Sequence, residues 1–245
     1  MKLFNKLRRI WINKRYLGKT GVFPLNDSPT QKLIDGWKGN KVASNMLKVS
    51  QFDISRARKG DVNINILTNI ELIKRTGLRE FTCLDVGCGI GSYVDLFRIL
   101  IPTLKIKYTG IDYSAELISI ANKRYGSIAK FQVGNMQNIP FESKSFDVVC
   151  SSSVLPYSPD YNQAVSELSR VARKYVLITR IMVTKGKEVF QKQKAYGSEW
   201  SSILFNEDKL KRIMKENNLD IIAEIQIKQV DEERDEKSYL LKVVE

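Results

Sequence analysis

Histidine is absent from all 245 residues. That one absence excludes a Ser-His-Asp triad, a histidine general base and the usual histidine-ligated zinc sites. Cysteine is scarce. Cys83, Cys88 and Cys150 are odd in number, lack metal-ligand spacing and fall in or beside expected core strands. They read as reduced, buried thiols of a cytoplasmic protein, and no metal site is expected. No apolar run approaches the length that a spanning helix needs. Internal repeats and low-complexity tracts are missing too.

What is present is an ordinary soluble composition, 43% hydrophobic and 27% charged, on a chain long enough for one sizeable core. The net charge of +13 is unevenly spread. Lys2, Lys6, Arg8, Arg9, Lys14, Arg15 and Lys19 precede the first acid, Asp27, and account for seven of those charges, which leaves +6 for the rest. In this leader Leu3, Phe4, Leu7, Ile10 and Trp11 recur at helical intervals with basic residues between them. Two readings of residues 1–16 stay open: a basic amphipathic helix on an anionic membrane surface, or a helix packed on the body with a solvated basic face. A secretory signal would need a continuous apolar block, which is missing.

The turn-rich stretch GKTGVFPLNDSPT separates the leader from two expected helices, KVASNMLKVSQFDIS and DVNINILTNIELIKRTG, the second closed by Gly77. Strands and helices then alternate. FTCLDVG, IKYTGID, AKFQVGN, SFDVVCSSS and YVLITRI read as strands. GSYVDLFRILI, SAELISIANKRYG, DYNQAVSELSRVA and NEDKLKRIMKENN read as helices, with Ser114 and Asn206 as N-caps. LDIIAEIQIKQV and SYLLKVVE flank the polar turn DEERDEK. Continuous apolar strands alternating with helices imply an α/β, doubly wound, Rossmann-like sheet, mostly parallel, closed by an antiparallel hairpin. Seven strands are expected. The division is a leader over 1–25, a helical N-terminal extension or cap over 26–77 and the sheet domain over 78–245.

In such sheets the ligand lies at the carboxyl ends of the strands, beside the first strand-to-helix turn. Here that turn is LDVGCGIGSY, with Gly87, Gly89 and Gly91 leaving the backbone free to bend and to approach a ligand closely. A dinucleotide fingerprint would place its third glycine at position 92, which is Ser. Asp85, inside the strand before the turn, would repel a pyrophosphate and attract a cation.

LDVGCGIGSY resembles the first motif of the class I S-adenosylmethionine-dependent methyltransferases. The resemblance continues through YTGIDYS, VGNMQNIPF and SFDVVCSSSVLPY over about 170 residues. It implies S-adenosylmethionine as cofactor, held by Asp85, Gly87, Cys88, Gly89 and Gly91. It further implies Asp112 on the ribose hydroxyls, Tyr113 along the adenosine, Asn135 and Met136 at the adenine, and Ser151 facing the ligand. Many relatives have Asp where this chain has Asn135, whose carbonyl can still accept from the adenine amine. The loop after the fourth strand often carries His, where this chain has Leu155-Pro156-Tyr157.

A hydroxyl acceptor needs a base. Without histidine the candidates are Tyr157, Asp160 and Glu199. The insertion VTKGKEVFQKQKAYGSEWSSILFN, with Tyr196, Trp200 and Phe205, reads as a lid or binding loop, and Trp37 as a residue closing over the pocket. The nucleic-acid signatures of base-amine and pyrimidine-carbon methylases are absent, which disfavours a nucleic acid as partner; an RNA methyltransferase and a non-catalytic S-adenosylmethionine-binding partner protein stay open as alternatives. The layout of extension, SSSVLPY and YGSEW is similar to poorly characterised bacterial methyltransferases linked to surface-polysaccharide genes. It implies a small molecule or glycan precursor as acceptor, with O-methylation favoured over N-methylation.

Overall fold

Apolar strands that read as buried on both faces need a layer of helices on each side. In the computed structural model, which describes residues 20–244, that is how they are covered. The elements in order are β1 (Gly21–Pro24), α1 (Gln31–Ile34), α2 (Asn40–Ala57), α3 (Ile64–Arg75), β2 (Glu80–Val86) and α4 (Ser92–Leu100). Then come β3 (Lys105–Asp112), α5 (Ala115–Tyr125), β4 (Lys130–Val133), β5 (Phe146–Ser152), α6 (Tyr161–Val171) and β6 (Ala172–Thr184). The chain ends with β7 (Val189–Ala195), β8 (Ser198–Asn206), α7 (Glu207–Glu216), β9 (Leu219–Gln229) and β10 (Arg234–Val243).

The sheet runs β4-β3-β2-β5-β6 in parallel, then β10 antiparallel to β6 and β9 antiparallel to β10. These are the seven expected strands, with the order reversing between β2 and β5. One face is sealed by α6 and α7, where Val165, Leu168, Leu210 and Met214 meet Leu84, Val149 and Val176. On the other face α3, α4 and α5 bring Ile70, Ile73, Phe97 and Ala121 against Phe81, Cys83 and Val148. Ile54 and Ala57 of α2 join the same cluster, so the residues before the sheet share its core. The cap residues behave as expected: the side chains of Ser114 and Asn206 accept from the Leu117 and Lys209 amides. Gly77, just beyond α3, takes a left-handed φ of 72°.

Three further strands were not expected. The insertion after YVLITRI is no loop: β7 and β8 form an antiparallel hairpin whose two-residue turn, Tyr196-Gly197, has positive φ at both positions. Such a turn matches the twist of the strands that it joins. β1, in the turn-rich stretch, adds to the outer edge of β7. β8 continues the parallel sheet beside the far end of β6, through Val183–Phe205 and Thr184–Asn206. The polar turn DEERDEK is shorter than expected because β10 already starts at Arg234. All three cysteines are free. No helix among the described residues is long and apolar enough to cross a membrane. The amphipathic reading of residues 1–16 lies outside the described residues.

Candidate active site

The glycine turn is built by a reversal that only glycine makes without strain. Gly87, Gly89 and Gly91 have φ of 77°, 55° and 74°, all left-handed. The amides of Gly87 and Cys88 both donate to the Ile111 carbonyl, at 2.7 and 2.9 Å, and draw the turn against the end of β3. A Cβ on Gly87 would fall 2.4 Å from Val154 in the loop after β5. The Gly87→Ala protein is therefore expected to be destabilised by about 2–4 kcal/mol, from the left-handed backbone and a clash with a stiff branched side chain. In a thermal melt that is a fall in Tm of about 5–10 °C, partly restored by adding Val154→Ala. An unchanged melt would mean that the turn is not held against Val154.

Asp112 closes β3 and clips two turns together. Its Oδ2 accepts from the Gly89 amide and its Oδ1 from the Ser114 amide, both at 3.0 Å. Its side of the carboxylate still has lone pairs to offer, and the residue is buried. Burial pushes its pKa up to about 6, against the pull of the Ser114, Gly89 and Tyr113 amides. Asp85 is buried as well and accepts from the Tyr108 hydroxyl at 2.5 Å. Burial raises its pKa to about 6, Tyr108 opposes the rise and the charge on Asp112 adds to it.

Both carboxylates line one cavity of about 450 Å³, within the roughly 300–1,000 Å³ range of small-molecule sites. Gly87, Cys88 and Gly89 line it, as do Tyr113, Asn135 and Met136. This half fits an adenosyl group that ends in a cationic amino acid. A bare backbone turn allows close approach, and two buried carboxylates present acceptors of the kind that hydroxyls or a cation would pair with. Tyr113 is also tied to the segment after α1: its hydroxyl accepts from the Trp37 amide at 3.1 Å and donates to the Ile34 carbonyl at 3.2 Å. The Asn135 side-chain oxygen already accepts from the Gln137 amide at 3.0 Å. Gly91 sits behind the turn, where an added Cβ would meet Phe131 at 2.8 Å.

Ser151 is placed otherwise than expected. It is fully buried, away from the cavity, and its neighbours Ser152 and Ser153 line the wall instead. The two-residue period of β5 turns Ser151 to the face opposite Ser152, and Ser153, past the strand end, reaches the wall from a left-handed φ of 59°. Of the three candidate bases only Tyr157 reaches the cavity. Asp160 is the N-cap of α6 and accepts from the Gln163 amide at 3.0 Å. Glu199 lies on the hairpin surface, where a hydrogen bond from Lys194 and then the charge of Lys192 hold its pKa below the usual carboxylate range. Tyr157 is pushed the other way by burial and stays a protonated phenol at neutral pH.

The remaining half of the cavity is walled by Trp37 from the extension, Tyr157, and Tyr196 and Trp200 from the β7–β8 hairpin. Trp37 packs on Trp200 with ring centroids 4.0 Å apart, and lies 5.2 Å from Tyr157 and 5.7 Å from Tyr196. Ser198 donates to the Gly36 carbonyl at 2.7 Å and fastens the extension to the hairpin.

Sequence reasoning passed over Arg180 and Asp53, which also line this cavity. The signal for Arg180 was a lone charge inside the apolar strand YVLITRI. Five non-glycine residues among those described have positive φ, and three of them, Ser153, Arg180 and Tyr196, line the cavity. Such backbone strain collects where side chains must be aimed at a ligand.

Residues 84–178 match a family described as "Methyltransferase domain". Demethylmenaquinone methyltransferases of Staphylococcus aureus, those of strains JH9 and Newman among them, are 33% identical over 106 residues, which is 42% of this chain and 43% of theirs. The match thus spans less than half the length of these curated relatives. A solved 1,6-didemethyltoxoflavin-N1-methyltransferase of Burkholderia thailandensis superposes with a TM-score of 0.60 at 12% identity, over 93% of this chain and 97% of that one. Magnesium protoporphyrin IX methyltransferase of Synechocystis, with S-adenosylmethionine bound, gives 0.52 at 15% identity, over 98% and 97%. An S-adenosylmethionine-dependent methyltransferase of Clostridium acetobutylicum gives 0.55 at 16%, over 76% and 94%. At these identities the likeness is one of fold.

Proposed function

We propose, from the premise that the chain belongs to the class I S-adenosylmethionine-dependent methyltransferases, that it methylates a small molecule or glycan precursor. The observation that carries this is the shape of the cavity. The glycine turn and its two carboxylates open directly into a chamber of four aromatic rings, closed by Trp37 of the extension and by the inserted hairpin. A chamber of that size takes a small acceptor rather than a folded nucleic acid. The solved relatives named above include enzymes named for methylating toxoflavin and porphyrin precursors.

The cofactor supplies a methyl group already activated by a positive sulfur. The protein's own work is to position and to exclude water. Asp112 would hold the ribose hydroxyls, Asp85 the cationic end, and Tyr113, Asn135 and Met136 the adenosine side. Trp37, Tyr157, Tyr196 and Trp200 would hold the acceptor in line with the methyl group, and alignment of that kind can supply on the order of 7–11 kcal/mol. No imidazole is available as base, Asp160 and Glu199 are engaged elsewhere, Tyr157 keeps its proton, and Asp53 on the cavity wall is paired with Arg56. The acceptor should therefore be a ready nucleophile, and O-methylation is favoured for an acidic hydroxyl. A cytoplasmic site is proposed from the three free thiols. A leader lying on the inner membrane face would bring the enzyme to lipid-carried glycan precursors.

The test is incubation with methyl-labelled S-adenosylmethionine and a fractionated cell extract. Label is expected in free metabolites or in lipid-linked glycan. Label confined to RNA or protein would overturn the acceptor class, and no label in any fraction would point to a non-catalytic binding protein.

A further inference from the structure

Arg180 stands in β6 inside a stretch with no other charge, YVLIT before it and IMVT after it, and the sheet is deformed around it. The pairing of β6 with β10 slips between Lys237 and Tyr239, and the Arg180 amide donates to the Ser238 hydroxyl at 3.0 Å in place of a regular ladder bond. Its φ is 60°, a left-handed conformation costly for a residue with a side chain. Bulges of this kind re-aim a side chain beside a site. Across from it Ser153, also left-handed at 59°, donates its amide to the Thr179 carbonyl at 2.8 Å. The result is an arginine that lines the cavity on its aromatic side.

No carboxylate among the described residues lies within ion-pairing distance of the guanidinium. None of the ion pairs among the described residues includes Arg180, and its Nε is buried without a hydrogen-bond partner. Asp53, on the α2 wall of the same cavity, lies 3.7 Å from Arg56. A second buried N–H, the indole Nε1 of Trp37, is likewise unpartnered. Two residues that line the cavity thus carry an unmet donor, and one of them bears a fixed charge. Arginine keeps its proton at any accessible pH and presents a planar fork suited to oxyanions. Buried donors of this kind are costly to leave unmade, so they point to a ligand that arrives with acceptors.

Resting on the methyltransferase reading above, we infer that the methyl acceptor is an anionic ring compound, whose carboxylate pairs with Arg180 while its ring lies against Trp37, Tyr157, Tyr196 and Trp200. Arg180 then selects the acceptor and fixes its direction, and the reactive atom is set by the distance between the carboxylate and the nucleophile on the ring. Both aromatic acids and sugar acids have this chemistry.

The experiment uses the full chain and four probes, 4-hydroxybenzoate, 4-hydroxybenzamide, glucuronate and glucuronamide. Each is titrated by calorimetry, and by tryptophan fluorescence, to which Trp37 and Trp200 contribute beside Trp11, with and without S-adenosylhomocysteine. At least one carboxylate is expected to bind about tenfold or more tightly than its own amide, the margin of a charge-assisted pair. Which of the two acids shows the preference separates an aromatic from a sugar acceptor. Arg180→Gln is expected to abolish the preference. Should that variant not fold, as judged by circular dichroism, the wild-type comparison decides alone. Amides binding as well as the acids, neither acid binding up to about 10 mM, or a folded Arg180→Gln protein that keeps the preference would each overturn the inference. Titration of S-adenosylhomocysteine by itself reports on the donor half: its failure to bind would sink the methyltransferase reading, whereas its binding without any acid preference would sink only the role of Arg180.

Discussion

Replacing Asp112 by alanine is expected to weaken S-adenosylhomocysteine binding by about 100-fold or more, read by calorimetry at neutral pH. The figure follows from losing an ionised acceptor to two hydroxyls, each charge-assisted bond being worth roughly 1.5–3 kcal/mol and each 1.4 kcal/mol a factor of ten. Asn is no innocent replacement. Both Asp112 oxygens accept backbone amides, from Gly89 and Ser114, and an amide side chain has only one oxygen for the two donors. Asp112→Asn should therefore lose affinity too, and loosen the glycine turn. A folded Asp112→Ala protein with undiminished affinity would remove the ribose from this strand end.

The donor half of the site was legible because local chemistry fixes it. Three alternate glycines between an apolar strand and a helix leave few other backbone paths, and Asp85 and Asp112 sit at strand ends whatever the rest of the chain does. The acceptor half was legible only in outline. Trp37 and Trp200 were marked as pocket residues, yet their contact depends on a hairpin that the pattern hid. β7 reads VFQKQKA, half-buried along its whole length, and so lacks the alternation that announces a strand. Its turn, Tyr196-Gly197, was visible only as two letters in a long insertion.

Arg180 depends on still longer-range effects. Its direction is set by a register slip against β10, more than fifty residues later in the chain, and no local pattern encodes that slip. The misplacement of Ser151 has a simpler origin, since three consecutive serines at a strand end allow either phase of the two-residue period. Asp160 and Glu199 show the opposite lesson. Carboxylates near a site in sequence were taken up by a helix cap and by lysines before any ligand could use them.

Affinity for S-adenosylhomocysteine is expected to fall as pH drops through about 6, and to do so with the signature of two groups. Asp85 and Asp112 both titrate near that value, because burial disfavours their charged forms. In the free protein the sign is unfavourable to ionisation. A carboxyl whose folded pKa lies above its unfolded value of 3.8 contributes stability that is present below that value and lost as pH rises through about 6. The ligand reverses the preference, because its ammonium group and two ribose hydroxyls favour ionised partners. Binding should therefore take up its full strength above about pH 7 and weaken below about pH 6, approaching 100-fold per pH unit when both carboxylates must ionise. Asp85→Asn keeps an acceptor for the Tyr108 hydroxyl and removes one titration, so its slope should approach tenfold per unit. Calorimetry between about pH 5 and pH 8 decides the matter. A flat profile in the wild type would mean that neither carboxylate meets the ligand. A slope near tenfold per unit in both the wild type and Asp85→Asn would leave Asp112 as the one ionisable contact.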